Sequence, residues 1–294
     1  MDSRAPTYLF NSLATLGLTL LSITLLAAAF SRHTHRSKTW YSMIVSWQVY
    51  AASYLLILGY QLGPEPSRGI CALQTMLIYS TPPLTTTTGL AFIFDTHLRL
   101  TKALFANKTI HKHTLFLLIA PWALFVAVAA GGLIAVRDFA EVQRDPNHMY
   151  CHSVINTQTQ ISAIICVIGL STALILICEH SHFLSGSNAD RAQVWTSIIL
   201  YRNWRLFRQI SVSSASDLRL SSLVRILVFT IQTSIGIGLG AFEAKGPLKS
   251  GLAIWSALLP ILPVLCGIAF GTQRDIVRCL MFWKSSNEEP GRKC

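Results

Sequence analysis

Charge is scarce in this 294-residue chain: Asp, Glu, Lys and Arg make up 13% of it while 52% is hydrophobic, and a soluble domain carries about 25% charged residues. So little charge cannot cover the apolar surface of one water-soluble core, which makes the chain a polytopic membrane protein. Acidic residues are the scarcest, 13 against 24 Lys and Arg, for a net charge of +11. That excess does not indicate nucleic acid. The basic residues lie in short clusters between apolar runs, the pattern of membrane loops. The first residues, "MDSRAPTY", lack a basic stretch before an apolar core with a small-residue cleavage site, so no removable signal peptide is expected.

A bilayer-crossing helix needs about 20 apolar residues. Seven candidate spans are predicted, at about 8–30, 40–61, 70–95, 114–136, 158–179, 220–242 and 251–270, with 1–7 as an extracellular N-terminus, 180–219 as the third cytoplasmic loop and 271–294 as a cytoplasmic tail. The third run contains "IYSTPPLTTTTGLAFIFD", which by composition reads as a loop, because proline removes a backbone donor and short polar side chains favour turns. As a helix of 26 residues, 70–95 would rise about 39 Å, enough to span. Basic charge decides between the two. With seven spans only Arg4, Arg68, Arg137, Arg144, Lys245 and Lys249 fall outside, balanced by Asp2, Glu65, Asp138, Glu141, Asp145 and Glu243, and the other 18 of the 24 Lys and Arg share the cytoplasmic face. With the N-terminus outside and no third span the split reverses, 17 of the 24 falling on the outer side. Pro82 and Pro83 then sit about 18 Å into the span, and the threonine hydroxyls after them are expected to bond back to carbonyls one turn earlier, in a kinked helix. Pro260 and Pro263 mark a second kink candidate.

Other absences exclude function classes. Away from their ends the spans hold no Asp, Glu, Lys, Arg or His, whereas ion-coupled transport usually needs ionisable groups at depth. The prolines form no matching pair between the two halves, as the broken helices of a transporter would. A multi-span transporter or channel for a small solute is the second reading. The run 251–270 has no Lys for a retinal Schiff base. No convergent set of His, Asp, Glu or Cys lies within the bilayer, so no enzyme, no metal and no cofactor is expected. "CEHSH" at 178–182 spaces ligand-type residues closely, but a polar membrane boundary is the better reading. The sequon at Asn107 falls on the cytoplasmic side and should stay unmodified.

Of seven Cys, only Cys71 and Cys151 fall on the outer, oxidising side. A bridge between them would tie the loop 137–157 over the mouth of the bundle; two unpaired thiols are the alternative, disfavoured in an oxidising medium. Cys166, Cys178 and Cys266 read as packing residues. Cys279, in the amphipathic run "RDIVRCLMFW", is a palmitoylation candidate, with a buried thiol as the alternative.

Seven spans, an outer N-terminus, a third-span to second-outer-loop cysteine pair and a short amphipathic run after the last span together resemble a G-protein-coupled receptor. More narrowly, "SRGICALQTMLIYSTPPL", "LYRNWRLFRQ" and "IAFGTQRDIVRCLMFW" resemble segments of fungal seven-span receptor-like proteins, whose nearest studied relatives are the a-factor-type mating pheromone receptors. The resemblance implies an all-α seven-helix membrane bundle, probing the outside for a peptide or lipopeptide and passing the signal to a heterotrimeric G protein from the plasma membrane, with the C-terminus cytoplasmic. In place of the acidic-Arg-aromatic triplet of rhodopsin-like receptors the chain has "FDTHLRL", in which Asp95 and Arg99 share a helix face and can pair. Against the resembling family, 180–197 reads as an insertion or a loop extension. Arg202, Arg205 and Arg208 recur every three residues beside Trp204 and Phe207, a surface for either the G protein or anionic membrane lipid, and Arg225 lies on the same side. Gln74, Tyr79, Gln232 and Trp255 are the ligand-pocket candidates, interhelical hydrogen bonding being the more frequent role of such groups.

Overall fold

The computed structural model describes residues 4–30, 36–61, 63–105, 113–135, 142–144, 149–153, 156–185, 259–273 and 276–277. Among them the chain is mostly helical. In order the elements are α1 (Arg4–Phe30), α2 (Lys38–Leu55), α3 (Arg68–Phe105), α4 (His113–Ala135), β1 (Val142–Arg144), β2 (Cys151–Ser153), α5 (Asn156–Ser185) and α6 (Ile261–Gly271). The two strands pair antiparallel, with Gln143 opposite His152. Helix α3 is the hub, packing on α2, α4 and α5 and carrying the hairpin, while α1 packs on α2 and α6.

Among the described residues two helices are long and apolar enough to cross a bilayer, α1 over Ala5–Phe30 and α4 over His113–Ile134, and shorter apolar stretches fill Thr157–Ala173 and α6. On α1 the buried positions are Thr7, Phe10, Ala14, Gly17, Leu21, Thr24, Ala27 and Ala28, a narrow stripe at spacings of three and four with Ala27 beside it. Much of the rest of α1 is apolar and exposed, including Leu9, Leu16 and Leu26. Helix α4 goes further, with Phe116 70% and Ile134 66% exposed.

Small residues let α1 and α6 approach. A methyl group built on Gly267 would come within 2.8 Å of Leu20 Cβ, and one on Gly271 within 2.8 Å of Thr24 Oγ1. Gly267 and Gly271 form a Gly-x-x-x-Gly pair, the spacing that lets membrane helices touch backbone to backbone. The main core lies beside this contact, around Phe10, Leu21, Trp40, Met43, Tyr54 and Phe270.

Several helix ends differ from the sequence expectation, α5 among them, which continues past 179 into the expected third cytoplasmic loop as far as Ser185. The run 40–61 ends as helix at Leu55 and continues as turns. Gly59 there has φ +94°, a left-handed conformation that side chains with a Cβ avoid. At the other end α2 starts on Ser37, whose Oγ accepts the Trp40 N–H at 3.2 Å. Helix α3 does not stop at Asp95 but continues to Phe105.

Candidate functional site

The polar chemistry among the described residues gathers along α3 and falls into three groups. At one end Cys71 and Cys151 form a disulfide with Cα atoms 5.4 Å apart, fixing the hairpin to the first turn of α3. Three further ties hold it. The buried Gln74 amide donates to the Ser53 and Tyr54 carbonyls at 3.1 and 3.4 Å, and its oxygen accepts the Cys151 N–H at 3.0 Å. Gln61 donates to the Met149 carbonyl at 2.7 Å and accepts from Asn11 of α1. Arg144 donates to the carbonyls of Tyr60 and Gly63 at 3.0 and 3.1 Å. Beneath the hairpin Tyr150 stacks on Phe10 at 6.3 Å and lies 6.4 Å from Tyr54. Hairpin, α1, α2 and α3 thus close over one another at this end.

In the middle, α3 runs through Pro82 and Pro83. Thr87 and Thr88 bond back to the carbonyls of Pro83 and Leu84 at 2.7 and 2.8 Å, and Thr85 to that of Pro82 at 3.0 Å. This back-bonding follows the pattern expected of the four threonines, but it falls one turn too late for the expected purpose. The helical donors removed by the prolines would have served the carbonyls of Ile78 and Tyr79, four residues earlier. Thr88 also meets Ser46 of α2, the two hydroxyls 2.7 Å apart and both buried.

At the far end Asp95 is 4% exposed. One carboxylate oxygen accepts from Thr39 of α2 at 2.7 Å and from Arg99 Nε at 3.0 Å. The Arg99 side chain stays 59% exposed. A buried carboxylate is tenable here because each contact is a hydrogen bond to its charged form. Nearby, Arg36 lies 5.7 Å over the Trp40 ring.

Of the pocket candidates, Gln74 has its amide fully engaged in tying α2, α3 and the hairpin together, and Tyr79 is half-buried on α3. Pro263 packs its ring against Gly17, while Pro260 sits buried just before α6. Cys166 and Cys266 are buried. Gln232, Trp255, Arg202, Arg205, Arg208, Arg225, Cys279, Asn107 and most of 180–197 lie outside the described residues, and the side chain of Cys178 does too. Among the described residues no group of three or more His, Cys, Asp or Glu could hold a metal ion. Sequence reasoning missed Thr39, Gln61, Asn11 and Tyr150. Gln61 carried a usable signal, an amide at the end of an apolar run; the others carried none.

No family model matches the chain, and no curated protein matches it in sequence.

Proposed function

We propose that the chain is a seven-span integral membrane receptor that relays an extracellular signal to a heterotrimeric G protein, and not an enzyme. The observation that carries the reading is the arrangement along α3: a covered, disulfide-tied end, a proline-threonine middle, and a charged end where Asp95 joins Thr39 of the neighbouring helix to Arg99. Such a helix links an outer cover to an inner face through one continuous element, which a signal relay requires. Membrane embedding is supported by the apolar exposure of α1 and α4, since water tolerates few contiguous apolar patches of this extent. The excess of Lys and Arg in the intervening loops supports an outer N-terminus and a cytoplasmic Asp95 end. Because the Gln74 end is closed by the hairpin, a ligand would reach the bundle beside α1–α3 rather than through them.

The test is G-protein activation in a yeast reporter strain expressing the chain, screened against peptides and lipopeptides. Ligand-dependent reporter output supports the reading. Solute uptake into vesicles containing only this protein would replace it with transport.

A further inference from the structure

A groove of about 720 Å³ runs between α2 and α4, walled by Tyr41, Ser42 and Val45 on one side and Ile119, Trp122 and Val126 on the other. Its size falls in the range of about 300–1,000 Å³ typical of small-molecule sites. The polar atoms on its walls are already engaged: Trp122 donates to Ser42 at 2.9 Å, and the Tyr41 hydroxyl donates to the Ala28 carbonyl at 3.1 Å. What remains is a hydrocarbon-lined slot. Its α2 wall, however, continues in sequence to a cation. Lys38, Tyr41, Ser42 and Val45 stand at i, i+3, i+4 and i+7, one face of the helix. Lys38 is exposed, and among the described residues it has no carboxylate partner. Its neighbour Thr39 bonds Asp95, which holds the exposed Arg99, so a second cation, a guanidinium, lies at the same end.

We propose that this groove binds an anionic phospholipid, its acyl chain between α2 and α4 and its net-negative headgroup against Lys38. Charge complementarity selects the occupant. A sterol or a zwitterionic lipid, whose phosphate is already balanced by its own choline, would fill the slot and leave the cation at its end without a counter-charge, whereas a net-negative headgroup and acyl tail match both parts. The proposal rests on the membrane reading above.

The test reconstitutes the full chain in phosphatidylcholine vesicles carrying traces of phosphatidylserine, or of phosphatidylcholine, with a photoactivatable acyl chain, and maps adducts by mass spectrometry. Adducts on 41–45 and 118–126 are expected to be severalfold more abundant with the serine lipid. Lys38→Gln should lower that labelling about fivefold, and Val45→Phe, which fills the slot, should lower it with either probe. Equal labelling by both headgroups, or labelling unchanged in Lys38→Gln, overturns the proposal, as does stronger groove labelling by a photoactivatable sterol or crosslinking of the groove to a second copy. Exposed Leu16, Ile23 and Leu26 of α1 serve as the control. Equal labelling there by both probes reports embedding in the bilayer. If neither probe labels α1, the membrane reading fails, and the lipid site falls with it by a distinguishable result.

Discussion

Asp95 and Gln74 are buried polar residues of α3, and both hold their places by satisfied hydrogen bonds. Gln74 uses its amide on three backbone groups. Replacing it by Leu leaves the buried Cys151 N–H without a partner, which costs about 1–3 kcal/mol. Gln74→Leu is therefore expected to lower the thermal midpoint of the purified chain in detergent without any ligand present; an unchanged midpoint would return Gln74 to the list of pocket residues. Thr39→Val removes one bond to Asp95 but leaves Arg99 in place. Interhelical bonds of this kind are worth about 0.6 kcal/mol and at most about 1.7, so its loss should be the smaller of the two by the same measurement. The pairing of Asp95 with Arg99 was legible because four residues on a helix bring two side chains together. Thr39 was not, being 56 residues away along the chain. The same distance problem hid the partners of Gln74, although a lone amide in an apolar run was visible.

Helices were easier to read than their ends. The apolar runs under α1 and α4 coincide with helices because length and hydropathy act locally, while the early end of α2 depends on a turn through Gly59 that the surrounding hydrophobic run masked. The proline-threonine stretch was readable as helix only by weighing charge on either side of it. At this scale the α1–α6 contact makes a sharp prediction. Gly267→Leu forces a side chain into Leu20, closer than real Cβ atoms approach, and overpacking of this kind costs about 1–3 kcal/mol. A lower yield of folded chain by size-exclusion chromatography is expected, whereas Gly131→Leu, with open space around it, should be tolerated. Within α3, Pro82→Ala with Pro83→Ala restores two amide donors, and alanine is about 3 kcal/mol the better helix former. The double variant should melt at a higher temperature. A lower midpoint would mean that packing of the buried Pro83 ring outweighs the lost hydrogen bonds.

For the molecule as a whole, composition pointed to a membrane protein, because a chain with 13% charged residues has little polar surface for water, and among the described residues two helices are long and apolar enough to cross a bilayer. The order of elements around α3 was not available from composition, since which helix touches which depends on side-chain fit across the bundle and not on local pattern. The disulfide lies between the two: its cysteines could be singled out by sidedness, but the hydrogen bonds of the hairpin it anchors could not. Sidedness itself is the central claim, with the Cys71 end outside and the Asp95 end in the cytoplasm. Glu65, just before α3, and Lys38, at the start of α2 next to Thr39, which bonds Asp95, are both exposed and bracket the proposed crossing. The most direct measurement labels Glu65→Cys and Lys38→Cys variants in intact cells with a membrane-impermeant maleimide, read against the parental background. The account predicts labelling of Glu65→Cys in intact cells and of Lys38→Cys only after permeabilisation; labelling of both from the same side would contradict it.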